Sequence, residues 1–151
     1  MRTYSFFGFD TTNIDPEVFR KFINCHFFAI DNHAKVIRDT HCIDWSTELI
    51  ELMYSGLSDE DFMETVKDLR LEVGVWCISY IIAFIMSEET EISFVYAHPD
   101  DAGREGVGFQ YKDSDVEKSL CPDSLAAIVG DYAKELECGE PGEKTFYYSV
   151  L

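Results

Sequence analysis

Positive charge is what this 151-residue chain has least of: 12 Lys and Arg stand against 29 Asp and Glu, a formal charge of −17 at neutral pH. Phosphate backbones and anionic lipids are bound by Lys and Arg, so this balance excludes nucleic acid and membrane surfaces as direct partners and makes a basic surface the natural complement. Long apolar runs are missing too. The longest, Val73 to Met86, has 14 residues, short of the roughly 20 that a spanning helix needs, and its expected place is a core helix. The five cysteines, Cys25, Cys42, Cys77, Cys121 and Cys138, contain no CxxC pair, and the opening MRTYSFFGFD has no charged-then-apolar leader. Reduced thiols in a cytoplasmic protein are therefore expected. No internal repeat or low-complexity segment is present.

What is there suffices for one core. With 46% apolar and 15% aromatic residues, the chain can bury a sizeable interior, whereas two halves of about 75 residues would each be marginal. A single acidic domain over residues 1–151 is the expectation.

Local patterns place the elements. Arg2 to Phe9 alternates Tyr4, Phe6 and Gly8 against Phe7 and Phe9, a strand with both faces at least partly covered. Asp15-Pro16 is a helix start, followed by Phe19, Phe22, Ile23, Phe27 and Ile30 at helical spacing. Residues 31–40 are ambiguous: Ala34, Val36 and Ile37 suit a short edge strand, and Asp31-Asn32 suits a turn. Asp44 or Ser46 can cap a short helix carrying Leu49, Ile50, Leu52 and Met53, stopped by Ser55-Gly56. From the capping Ser58 onward, Phe62, Val66, Leu69, Val73, Trp76, Tyr80 and Phe84 step by three and four, which predicts one long central helix. Glu91 to His98 and Gly106 to Lys112 alternate as an antiparallel hairpin. Pro122 opens a last helix through Leu125, Ile128, Val129, Tyr132 and Leu136, closed by Gly139, and Lys144 to Val150 forms a final strand. The order predicts an α+β fold: a mostly antiparallel sheet of about four to five strands, about four helices on one face, and the long helix at the centre.

Chemical motifs are few. Ala97-His98-Pro99-Asp100-Asp101 resembles the AHPDD segment of zinc-dependent deacetylases acting on N-acetylated sugars. The resemblance implies zinc held by His98 and Asp101, with Asp100 as the base. It covers five residues. The family carries this segment near the start of a larger Rossmann-like domain and adds a downstream histidine, whereas here it lies past the midpoint and no histidine follows His98. Proline and aspartates are also hairpin-loop residues, and the turn is the reading retained. Cys25, His26, His33, His41 and Cys42 include zinc-ligand types without a finger or ribbon spacing, and adjacent helical residues point about 100° apart. His41, Cys42 and Asp44 contain the residue types of a thiol nucleophile and its base, but such sets are assembled across a fold rather than along a chain. Gly103 to Gly108 enters a strand rather than a helix, so it reads as hairpin geometry and not a phosphate loop. No catalytic residue, metal or cofactor is assigned.

Acidic patterning remains. Asp61, Glu64, Asp68 and Glu72 recur three and four apart on one helix face, extended by Asp59 and Glu60. Glu88 and Glu89, then Asp100 and Asp101, gather at element ends. Self-repulsion at this charge exceeds what solubility requires. These ten carboxylates form the candidate partner-binding set of a non-enzymatic acidic protein. Its partner would be a basic protein such as a nuclease, whose nucleic-acid-handling surface it would block as immunity, anti-restriction and anti-CRISPR proteins do. The alternatives are a generic acidic interaction domain and, third, a small metal-dependent hydrolase.

Overall fold

The computed structural model describes residues 1–39, 44–69, 71, 77–110 and 122–149. Strand β1 (Arg2–Asp10) pairs on one side with β3 (Gly106–Phe109) and on the other with β4 (Gly142–Tyr148), while β2 (Val95–Ala97) pairs with β3. Every pairing is antiparallel, with Phe7 opposite Phe109, Tyr4 opposite Phe146 and Val95 opposite Gly108. The α+β class and the four-stranded antiparallel sheet agree with the sequence pattern. Among the described residues no helix is long and apolar enough to cross a membrane.

The helices depart from it. Six are present among the described residues: α1 (Pro16–Cys25), α2 (Phe27–Asp39), α3 (Trp45–Met53), α4 (Asp59–Lys67), α5 (Ile78–Thr90) and α6 (Pro122–Glu135). The expected first helix is divided at His26, whose backbone leaves helical geometry (φ −109°, ψ 26°). The ambiguous Ala34, Val36 and Ile37 are helical, in α2. The single long helix after Ser58 is two helices. Asp68 ends α4 by donating its N–H to the carbonyls of Thr65 and Val66, and α5 begins only after the extended Cys77. Phe62 and Val66 of α4 and Ile81 and Ile85 of α5 still enter one core, so apolar periodicity runs through a break that it does not register. Val73 and Trp76 lie outside the described residues.

The sheet has two different faces. Phe9 and Val107 face the helices, where Phe19, Ile30, Leu49, Phe62, Ile81 and Val129 complete one core drawn from all six of them. On the reverse face Phe6, Ala97 and Phe146 form a smaller cluster edged by Tyr4, Val95 and Tyr148. Glycine makes that second cluster fit. A Cβ on Gly108 would lie 2.3 Å from the Phe6 ring and one on Gly106 2.6 Å from the Phe146 ring, so the two rings lie down over β3 where side chains would otherwise stand.

Helix α5 is capped from elsewhere in the chain. Cys77 offers no side-chain cap; instead the Glu105 carboxylate, just before β3, accepts from Ser79 N–H (3.2 Å) and Ser79 Oγ (2.6 Å). Ser79 Oγ also meets Thr11 Oγ1 at 2.6 Å, and Thr11 N–H donates to the Glu105 carbonyl. This fully buried pair of hydroxyls links β1, α5 and β3 where the helix dipole favours negative charge.

Two measurements test this packing. Gly108→Ala should lose about 1–3 kcal/mol of stability by urea denaturation, because the added methyl meets a ring and a backbone carbonyl. Gly130→Ala, mid-helix in α6 with only ordinary contact for its Cβ, should gain about 0.5–1 kcal/mol. Burial raises the Glu105 carboxyl above its ordinary value despite the hydrogen bonds from Ser79. A folded value above the unfolded one adds stability that is complete below the unfolded value and is lost as pH rises through the folded value. Glu105→Gln keeps an oxygen for Ser79 and cannot ionise, so its stability relative to the native chain should improve as pH rises above the ordinary carboxylate range. Parallel pH profiles would refute the buried-carboxylate account.

Candidate functional site

The structure separates nine of the ten candidate carboxylates into three groups. Asp59, Glu60, Asp61, Glu64 and Asp68 belong to α4 and its C-cap, because Ser58 accepts from Asp61 N–H to start the helix and the acidic first turn suits its positive end. Asp59 is tied down: Arg20 Nη1 lies 3.2 Å from it and the guanidinium sits 4.8 Å from the Phe62 ring centre. Glu60, Asp61, Glu64 and Asp68 are exposed, and of these four only Glu64 has an ion partner among the described residues, Lys67 at 3.4 Å. Glu72 lies outside the described residues.

The second group sits at the C-terminal end of α5. Glu88 is exposed. Glu89 is occupied by structure: its two oxygens accept from Tyr132 Oη and meet His26 Nδ1, each at 2.7 Å, while His26 Nε2 meets Glu135 Oε1 at 2.7 Å. The histidine that divides α1 from α2 therefore bridges α5 and α6, packed against Phe22 with ring centres 4.4 Å apart. Burial, and the proton that Tyr132 gives to Glu89, raise the phenol above its ordinary value.

The third group lies in the β2–β3 loop and is split inside from out. Asp100 is buried, and its carboxylate accepts from Ala102 N–H (2.9 Å), Arg104 N–H (3.0 Å), Tyr147 N–H (3.1 Å) and the Arg104 guanidinium (2.9 Å). Burial works to raise this carboxyl, and those donors outweigh it and hold it below its ordinary value. Asp100 is thus the pin that fastens the loop to β4 and has no face to offer a partner. Asp101 stays exposed and accepts from Ser149 Oγ (2.6 Å) and N–H (3.1 Å), which lower its carboxyl.

The other chemistry-bearing residues are dispersed. The His98 ring packs at a tilt against Tyr148 (ring centres 4.9 Å apart) rather than joining Asp100 and Asp101, and the described residues contain no group of His, Cys, Asp and Glu able to hold a metal. Cys25 is exposed, and His33 Nε2 meets the Asp44 carboxylate at 2.8 Å, the same carboxylate that caps α3. His41 and Cys42 lie outside the described residues. Burial pushes the Cys77 and Cys138 thiols up to about 12, which makes both poor nucleophiles. Gly103 takes a left-handed turn (φ 74°) and Gly106 and Gly108 lie under rings, so the glycines serve the hairpin. Sequence reasoning missed the His26 bridge and the Glu105 cap, because partners 63, 109 and 26 positions apart leave no local signal.

Asp100→Ala should cost about 1–3 kcal/mol by leaving buried donors without an acceptor, whereas Asp101→Ala should change thermal stability far less. Equal loss in both would remove Asp100 from its role as the loop's pin. Compared with protein-family models, curated proteins and solved structures, the chain matches none.

Proposed function

We propose that this is a non-enzymatic acidic binding protein that lays the exposed face of α4 on a basic, nucleic-acid-handling surface of a partner protein and blocks it. The functional class is that of nucleic-acid mimics and nuclease inhibitors, among them immunity, anti-restriction and anti-CRISPR proteins. The observation that carries the reading is the row Glu60, Asp61, Glu64 and Asp68: four exposed carboxylates on one short helix and its cap, with a single ion pair to them among the described residues.

Successive members lie about 1.5 to 6 Å apart along the axis at the rise of an α-helix. The row is held on rigid structure, since Phe62, Met63 and Val66 fix the opposite side of α4 in the core. A groove lined with Lys and Arg for phosphate accepts such a row, and opposite charge speeds the encounter. Asp101 and Glu88 add exposed negative charge elsewhere; Asp100 and Glu89 are engaged internally and are not part of the proposed surface.

Capture from a lysate with the full chain as bait should recover a basic nucleic-acid-binding protein. Its association rate should fall by about tenfold or more as ionic strength rises. Reversing Glu60, Asp61, Glu64 and Asp68 together to Lys should abolish binding while the unfolding transition is retained. Salt-insensitive binding to a neutral partner, unaffected by the reversal, would overturn the proposal in favour of a generic interaction domain.

A further inference from the structure

On the reverse face of the sheet, away from the helices, lies a cavity of about 730 Å³, within the range of about 300–1,000 Å³ usual for small-molecule sites. Tyr4 from β1, Val95 and Ala97 from β2, and Tyr148 from β4 supply its aromatic and apolar walls, and Arg2 and His98 stand at it. Its floor adjoins the Phe6, Ala97 and Phe146 cluster, against which Tyr4, Val95 and Tyr148 pack.

Two features of the lining select a ligand. None of the 29 Asp and Glu of this chain lines it among the described residues. Polar heads without protein partners are left there instead: among the described residues, neither the Arg2 guanidinium, the Tyr4 hydroxyl nor the His98 ring makes a hydrogen bond or ion pair, and all three can donate. His98 is held in place through its carbonyl, which accepts from Tyr148 Oη at 2.5 Å, and through ring packing on Tyr148. Asp101 is outside the lining and is taken up by Ser149 at its edge.

We propose that this cleft is a binding site for a small planar aromatic anion, its ring set among the tyrosines and its phosphate or carboxylate held by Arg2, Tyr4 and His98. Rings recognise the flat body by stacking, and a guanidinium with two further donors recognises an acceptor-only head. The inference does not rest on the proposed docking of α4, which engages a different face.

The test titrates the full chain with adenosine 5′-monophosphate and with naphthalene-2-sulfonate, followed by amide chemical shifts, with neutral adenosine as control. The expected result is one-to-one saturation by at least one anion, with shifts centred on residues 2–4, 95–98 and 147–149. Adenosine should bind roughly tenfold more weakly or worse, and Arg2→Gln and Tyr4→Leu should each lower anion affinity by roughly tenfold while the chain stays folded. Tyr4→Leu is the demanding variant for folding; Arg2 is exposed, so Arg2→Gln and the shift map decide the matter if it fails. No saturation by either anion up to several millimolar, equal affinity for adenosine, or unchanged affinity in Arg2→Gln would overturn the proposal.

Discussion

The close fit of two phenylalanine rings over a glycine-bearing strand is the constraint on which the rest of the architecture depends. An antiparallel sheet can leave one face to water, but this one carries apolar side chains on both, and the six described helices are committed to one of them. The other is closed by the sheet itself: Phe6 and Phe146 lie across Gly108 and Gly106 with ring centres 5.2 Å apart, and Arg104 extends its guanidinium towards Phe146. Any side chain at those glycines would lift the rings and open the reverse face to water. The β2–β3 loop folds back to β4, where Asp100 and the Asp101 N–H fasten it to Tyr147. The cleft bounded by Tyr4, His98 and Tyr148 follows from the same arrangement.

A formal charge of −17 suggests an exterior of uniform repulsion, yet many carboxylates do structural work. Asp15, Asp44 and Glu105 satisfy the free N–H groups at three helix starts, Asp100 and Asp101 close a loop, and Glu89 and Glu135 hold a histidine. In a chain with few cations, acids are the available acceptors for backbone donors, and such hydrogen bonds stabilise the ionised form without a paired Lys or Arg. Net charge alone is therefore a poor guide to a docking face. The remainder is more telling: exposed carboxylates such as Glu60, Asp61 and Asp68 on α4 and its cap, which have no ion partner among the described residues, beside Glu64 with its one partner, Lys67.

Strand positions, caps and the β2–β3 hairpin were legible because each is written locally. Period-two alternation marked β1 and the hairpin, Asp15-Pro16 and Ser58 marked two helix starts, and Gly56 marked a stop with a positive φ of 74°. The breaks at His26 and after Lys67 were not legible. Both interrupt an apolar stripe that continues on the far side, and what stabilises each lies far away in the chain: Glu89 and Glu135 for His26, Glu105 for the start of α5. The acidic row on α4 was visible as a spacing, but the inward turn of Asp100 was not, since an aspartate in a Pro/Gly/Asp loop looks solvent-facing until its donors from Arg104 and Tyr147 are seen. The reverse-face cleft had no sequence signature, for its walls come from strands at opposite ends of the chain.

An anion site on so negative a protein is physically consistent once distance is considered. At physiological ionic strength the Debye length is about 8 Å, so exposed charges farther off are largely screened, while groups in contact with a bound ligand act through partly excluded water. What governs such a site is its lining, and there this chain places a guanidinium, an imidazole and a phenol, with no described acid among the lining residues and Asp101 turned to Ser149 at its edge. The carboxylate row on α4 works in the opposite regime, drawing its effect from summed charge felt across solvent before contact. Lower salt lengthens the reach of the whole negative body, which favours approach of a basic protein to α4 and disfavours approach of an anion to the cleft. The two surfaces thus depend on the same net charge with opposite sign, and the sheet between helices and cleft is what keeps them apart.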